Sequence, residues 1–358
     1  MSYFPPYNKT QVDSSFVLTK LKELSTIEKF NLTAKSNTWV AYGDSYVATS
    51  ANWISFIETI AQETGTTFIR RGYSGATIDN LLVRDADSNN VLLNPDYANY
   101  SSLINYGLND FRVDPSVKPF YGNYYQYQKC CLGTYLFLSI PQNKLIRISE
   151  LTPGIGNAWT DSGPIMGMRT QQLNDSVSTT VSGRYITFGF WVTGFPDGNH
   201  EWEIKVNGEV VSTVKITYNA AVAAFYMYGV LIDTGNKSEK LVECKNISED
   251  EVETNHYIAY AASFNGDEID TKNVLINTPV TSDLKTRAET GQFNGDLSAR
   301  KDIIRAMKDA VIACRSAGLP VFLNEVEVGL GLFRSDNLHL TSYGHKILGK
   351  QILKNIII

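Results

Sequence analysis

The sequence predicts an α/β domain built on a parallel sheet and interrupted by an antiparallel β-sandwich. Three observations predict this. Over 37–140, short apolar runs that stop at glycine alternate with apolar residues at helical spacing. The same rhythm returns over 269–358. Between them, over about 141–268, the apolar period is two and no stretch carries the helical period.

The elements follow in order. Residues 1–34 hold Pro5-Pro6 and no sustained period, so they read as an arm or tether, with a short helix expected around Leu18–Phe30. Thr38-Trp39-Val40-Ala41-Tyr42 is a buried strand that feeds a turn at Gly43-Asp44-Ser45. Trp53, Ile54, Ile57, Ile60 and Ala61 recur at helical spacing, and Gly65 ends that helix. Thr67-Phe68-Ile69 and Leu103-Ile104-Asn105-Tyr106 are the next strands, running to Gly72 and Gly107. A helix over about Tyr124–Leu138 closes this first part, 35–140.

In the segment 141–268, Trp202, Ile204 and Val206 alternate with Glu201, Glu203 and Lys205. Asn207-Gly208 then predicts a hairpin into Val210–Ile216. Ile186–Val192, Phe225–Ile232 and Tyr257–Phe264 read as further strands. The second α/β part, 269–358, begins with the strand Val274-Leu275-Ile276. Ile303, Ile304, Met307, Val311 and Cys314 share a helical face closed by Gly318 and Pro320. Val321-Phe322-Leu323 is a strand, and Ile347, Leu348, Ile352 and Leu353 mark a terminal helix.

Composition excludes several classes of function. With 43% hydrophobic residues in 358, the chain has the material for a packed core. A net charge of −5 without clustered cations argues against a nucleic-acid partner. No window approaches the ~20 apolar residues of a membrane span, so no membrane partner is expected. Cys130 and Cys131 are adjacent, and no pair of the four cysteines has metal-binding spacing, which predicts a reducing compartment and no metal or cofactor. Met1-Ser2-Tyr3-Phe4-Pro5-Pro6 shows no signal peptide. The expectation is a soluble protein of cytoplasmic synthesis; association with a virion would need no signal.

Four strings sit where strands of a parallel sheet end or just before the terminal helix: Gly43-Asp44-Ser45, Gly72-Tyr73-Ser74-Gly75, Gly107-Leu108-Asn109-Asp110 and Asp336-Asn337-Leu338-His339. Such sheets place their ligands at strand ends. A serine on such a turn becomes a nucleophile if a histidine takes its proton and a carboxylate orients that histidine. Asp336 and His339 are close enough for one loop to hold both. Backbone N–H groups at Ser45 and Gly75 and the Asn109 amide are suitable oxyanion donors. Singly the strings are weak, since Gly-Asp-Ser arises by chance in roughly one chain in ten of this length. Their order and positions make the set specific.

The set resembles the four sequence blocks of the SGNH (GDSL) hydrolases. The resemblance covers about 36–140 and 268–358, and it implies a serine esterase on a flavodoxin-like three-layer α/β/α fold. It places Ser45 as nucleophile, Asp336 and His339 as triad acid and base, and Gly75 and Asn109 in the oxyanion hole. Where the family often has Leu after the serine, this chain has Tyr46, expected in the pocket wall. The Gly-x-Ser-x-Gly elbow of another serine-esterase fold is absent. The sandwich resembles the carbohydrate-binding modules found beside SGNH domains, some of them in bacteriophage tail proteins. That implies an O-acetylated glycan as substrate, with Trp159 and Trp191 as candidate sugar contacts, and attachment to a larger assembly through the N-terminal arm.

Plainer roles compete. Ser45 could be a turn or cap residue. The tryptophans, Trp202 above all, could be core. Asp44 and Asp110 read as carboxylates that brace their loops, and His345 as structural. A glycan- or receptor-binding protein on a passive SGNH scaffold is the alternative function.

Overall fold

The computed structural model describes residues 30–31, 38–48, 55–74, 76, 78, 100–107, 109–111, 124–146, 151–154, 160–161, 168–170, 173–193, 199–217, 225–248, 256–267, 272–280, 297–326, 328–335, 339–354 and 356–357. Along the chain, β1 (Thr38–Gly43), α1 (Phe56–Thr64), β2 (Thr67–Gly72), β3 (Ser101–Asn105) and α2 (Tyr124–Ser139) come first. The long antiparallel strands follow: β4 (Ser176–Ser182), β5 (Tyr185–Thr193), β6 (Asn199–Val206), β7 (Glu209–Thr217), β8 (Phe225–Asp233), β9 (Glu239–Asn246) and β10 (His256–Phe264). Then come β11 (Val274–Asn277), α3 (Leu297–Ser316), β12 (Val321–Asn324) and α4 (Ser342–Lys354).

The parallel sheet has the order β12-β11-β3-β1-β2. Counted by its own strands this is 2-1-3-4-5, so the winding reverses between β1 and β3. Alternate residues serve opposite faces, as strand geometry requires. Trp39, Ala41, Leu103 and Leu275 pack with Phe56, Ile60, Leu348 and Ile352 of α1 and α4. Val40, Tyr42, Ile104, Val274 and Ile276 pack on the other face with residues of α2 and α3. Both faces are covered, which is why these strands read as continuous apolar runs.

Helix α1 begins at Phe56, behind an Ser55 cap whose side chain accepts the Ile57 N–H at 3.3 Å. Gly65 ends it at φ 69°. Trp53 and Ile54, expected in its first turn, precede this cap and lie outside the described residues.

Helix α2 is buried along nearly its whole length from Tyr127 to Ser139, because it has a neighbour on each side. The parallel sheet and α3 cover one side, and the β-sandwich covers the other. Tyr260 of β10 donates its O–H to the Gly133 carbonyl at 3.1 Å. The sandwich and the α/β layers therefore share one continuous apolar core.

One sandwich sheet runs β8-β5-β10, extended by Met168–Thr170 and Thr160–Asp161, with Leu145–Ile146 also on β10. The other runs β7-β6-β9-β4, with Thr152–Pro153 at its edge. Asn207 (φ 51°) and Gly208 (φ 85°) make the expected tight hairpin between β6 and β7. Trp202 stacks on Phe190 at 4.9 Å and is 1% exposed, so it belongs to the core.

Strands β4 and β9 add to those the periodicity predicted. In β4, Ser-Val-Ser-Thr-Thr-Val-Ser offers only Val177 and Val181 to the core, a spacing of four that hides a strand. In β9, Leu241 turns outward and is 50% exposed while Val242 and Cys244 turn inward.

Of the arm, Phe30–Asn31 is extended and pairs in parallel with Ile356–Ile357, so the helix expected to reach Phe30 does not include it. The rest of that helix and of the arm lies outside the described residues. All four cysteines are buried and none is in a disulfide. Among the described residues, no helix is long and apolar enough to cross a membrane.

Candidate active site

The site is built on the C-terminal edge of the parallel sheet, at the reversal between β1 and β3. Strand β1 ends at Gly43, and the chain folds over into a single helical turn in which the Asp44 carbonyl accepts the N–H groups of Val47 and Ala48, each at 3.0 Å. The Asp44 carboxylate accepts the Tyr46 N–H at 3.0 Å, and the Asp44 N–H donates to the Asn105 carbonyl of β3 at 3.3 Å. This is an Asx-type bond that bends the chain around Ser45.

The carbonyls of Tyr46, Val47 and Ala48 are taken by side chains. Ser55 donates to the Tyr46 carbonyl at 2.8 Å. Arg70 of β2 donates from Nε to the Val47 carbonyl and from Nη2 to the Ala48 carbonyl, both at 2.9 Å. Glu58 of α1 holds the third corner of that guanidinium at 2.5 Å. A buried turn needs such partners for its backbone.

His339 arrives from the other end of the chain. Its loop is clamped where Phe333 pairs with Leu340 and the Arg334 N–H donates to the His339 carbonyl at 2.8 Å. Thr341 then caps α4, accepting the Gly344 N–H at 3.0 Å while its hydroxyl donates to the Leu332 carbonyl. The result is a contact of 3.1 Å between His339 Nε2 and Ser45 Oγ, across 294 residues of sequence. Ser45 is 5% exposed and His339 is half-buried, so a serine and an imidazole meet at a shielded edge of the sheet. That pair can pass a proton between them, as nucleophile activation requires.

Beyond β3, the chain turns at Gly107 (φ 110°) into a short helical turn, Asn109–Phe111. Asn109 is buried and donates from Nδ2 to the Ala76 carbonyl at 2.9 Å. The Ile78 N–H donates to Asp110 Oδ1 at 3.2 Å. Two consecutive side chains thus grip the loop that follows β2, next to Gly75.

Gly75 and Asp336 lie outside the described residues, as does Trp159. Trp191 is in β5, opposite Met227 and Tyr257 in the ladders. Tyr46 differs from expectation. Its ring is 1% exposed and packs with Val47, Phe56 and Leu340, with its centroid 5.2 Å from that of His345 and 6.4 Å from that of His339. It packs in the core beside the histidine loop.

Burial pushes the Asp44 carboxyl up to about 7, with the nearby charge of Asp110 adding to the rise and the Tyr46 N–H opposing it. Burial lowers His345 to about 4, so that imidazole stays neutral behind the site. Among the described residues, no group of His, Cys, Asp and Glu is placed to hold a metal ion. Arg70, Glu58 and Ser55 were not anticipated from sequence. Two arginines within an otherwise apolar strand, Phe68-Ile69-Arg70-Arg71, were the available signal.

No family model matches the chain, and no curated protein does. Among solved structures, a two-domain esterase active on acetylated mannans, co-crystallized with mannopentaose, is 13% identical, with a TM-score of 0.33 over 69% of this chain and 94% of its own. A CBM36 domain of a multidomain xylanase from the hindgut metagenome of Trinervitermes trinervoides is 19% identical, with a TM-score of 0.26 over 33% of this chain and 92% of its own. A family 35 carbohydrate binding module from Clostridium thermocellum is 14% identical, with a TM-score of 0.24 over 33% of this chain and 93% of its own.

Proposed function

We propose that the chain is a serine carboxylic-ester hydrolase of the SGNH type that removes short acyl groups, O-acetyl above all, from a carbohydrate. The observation that carries this reading is the 3.1 Å contact between Ser45 Oγ and His339 Nε2 at the winding reversal of a 2-1-3-4-5 parallel sheet.

In the proposed reaction, His339 Nε2 takes the Ser45 proton as Oγ attacks the ester carbonyl. Asp336 orients the imidazole from its other nitrogen. The tetrahedral oxyanion is held by the N–H groups of Ser45 and Gly75 and by the Asn109 amide. Asn109 Nδ2 carries two hydrogens. One goes to the Ala76 carbonyl, which leaves the second for the oxyanion. His339 then protonates the leaving alcohol, and water resolves the acyl-enzyme by the same route. The resemblance of the β-sandwich to carbohydrate-binding modules supports a glycan as the carrier of the ester.

The test is hydrolysis of p-nitrophenyl acetate and labelling by a fluorophosphonate, with wild type beside Ser45→Ala. Both activities should vanish in the variant while its circular dichroism is unchanged. Near-normal turnover by the folded variant overturns the mechanism. A preference for long acyl chains across a p-nitrophenyl ester series overturns the substrate class, and acetate release from acetylated polysaccharides identifies the carrier.

A further inference from the structure

Three neighbouring strands of the parallel sheet each end in a buried asparagine: Asn105 on β3, Asn277 on β11 and Asn324 on β12. None is more than 5% exposed. A carboxamide buried at a strand end costs stability unless it is hydrogen-bonded, and an aliphatic residue there would carry no such cost. These three satisfy one another in a single direction. Asn324 Nδ2 donates to Asn277 Oδ1 at 3.1 Å, and Asn277 Nδ2 donates to Asn105 Oδ1 at 3.4 Å. Both of these donors point towards β1.

Next in that direction is Asp44, the residue after β1, whose carboxylate is fully buried. One oxygen accepts the Tyr46 N–H, the amide on the far side of Ser45. The other oxygen makes no hydrogen bond among the described residues, although the Asn105 amide is near enough to favour the charged form. The like charge facing it is Asp110, and His339 stands on the opposite side of the turn, against Ser45. Aligned amides polarise one another and strengthen the terminal donor.

We propose that Asn324, Asn277 and Asn105 form a polarised amide chain that fixes the Asp44 carboxylate, and that Asp44, through the Tyr46 N–H, is the positioning residue that holds Ser45 within reach of His339. The inference rests on the esterase reading for its last link, Ser45. None of the four residues is assigned a contact with substrate.

Asn277→Leu removes the central amide at nearly constant volume, and Asn324→Ala removes the outer one should the first variant fail to fold. The first readout is the pH titration of the Asp44 carbonyl stretch in infrared difference spectra, assigned by its loss in Asp44→Asn. Its midpoint should rise by about half a pH unit or more in either variant, because the Asn105 amide, no longer polarised by the amides behind it, favours the charged form less. The second is fluorophosphonate labelling of Ser45 together with p-nitrophenyl acetate kinetics. Labelling and kcat should fall about tenfold with KM within twofold, since a displaced nucleophile costs rate and not ground-state binding. Folded variants with wild-type titration and wild-type labelling overturn the proposal and leave the chain a purely structural network. A wild type that neither labels nor hydrolyses esters defeats the esterase reading. The infrared midpoint then still decides, without kinetics, whether the amides act on Asp44.

Discussion

Gly43 and Gly72 stand opposite each other in the β1–β2 ladder, and neither has room for a β-carbon. A Cβ on Gly72 would lie 2.4 Å from the Ala48 nitrogen and 2.5 Å from the Val47 carbonyl carbon. A Cβ on Gly43 would lie 2.3 Å from Val47 Cγ2 and 2.9 Å from the Asn105 oxygen. The paired glycines let the turn bearing Ser45 lie flat across the sheet edge. Gly72→Ala should therefore push the turn outward, destabilising the protein by about 1–3 kcal/mol and slowing fluorophosphonate labelling of Ser45 by about 10²-fold. Urea denaturation and labelling rates check both; wild-type labelling in the variant would show that the turn does not depend on this contact.

A second pair of glycines joins the two halves of the core. Gly133 of α2 and Gly229 of β8 face each other, and a Cβ on Gly133 would lie 2.7 Å from both the Gly229 nitrogen and the Met227 oxygen. Backbone cannot yield as a side chain can. Gly133→Ala should destabilise the chain by about 1–3 kcal/mol or more, and calorimetry should show one unfolding transition in both proteins because sandwich and sheet share that core. Two separate transitions in wild type would contradict the shared core.

The alternation of periods made the parallel sheet, the sandwich and their order along the chain legible, and strand-end strings led to Ser45, Asn109 and His339. What escaped had physical reasons. Strand β4 is Ser/Thr-rich and shows the core only two valines. Two arginines in an apolar strand mark Arg70 as unusual, but its partners are backbone carbonyls, which no residue type identifies. Asn105 and Asn277 are hydrogen-bonded across 172 residues, a pairing that only the sheet register reveals. Tyr46 is amphipathic, and its sequence position alone does not distinguish a pocket wall from the core beneath it.

In the sandwich, His200 and His256 are buried with their Nδ1 atoms 2.9 Å apart, and Ser248 Oγ lies 3.3 Å from His256 Nδ1. One ring must donate and the other accept, so both cannot be protonated in place. Burial lowers His200 to about 4 and His256 to about 3, with the charge of His200 adding to the second. The unfolded chain binds these protons near the ordinary imidazole value of about 6.5. The stability they confer is therefore complete above that pH and lost as pH falls through about 4. His345, at about 4, acts in the same direction, whereas Asp44, raised to about 7, acts in the opposite one. Three imidazoles against one carboxyl leave a net loss on acidification. The urea midpoint should fall between pH 7 and pH 4, and fall less steeply in His256→Asn; equal slopes would show that the pair does not titrate with unfolding.

Arg70 should matter more than its surface partner. Its guanidinium serves two buried carbonyls of the nucleophile turn and one carboxylate, a fork that a lysine ammonium cannot reproduce. Arg70→Lys leaves at least one of the Val47 and Ala48 carbonyls without a donor, at a cost of about 1–3 kcal/mol, and should slow Ser45 labelling about tenfold by loosening the turn. Glu58 is 38% exposed, so water can replace it. Glu58→Gln should stay within about 1 kcal/mol of wild type and label at the wild-type rate. Measured side by side, equal losses in the two variants would place the weight on the ion pair. A loss confined to Arg70→Lys would place it on the bonds to the turn.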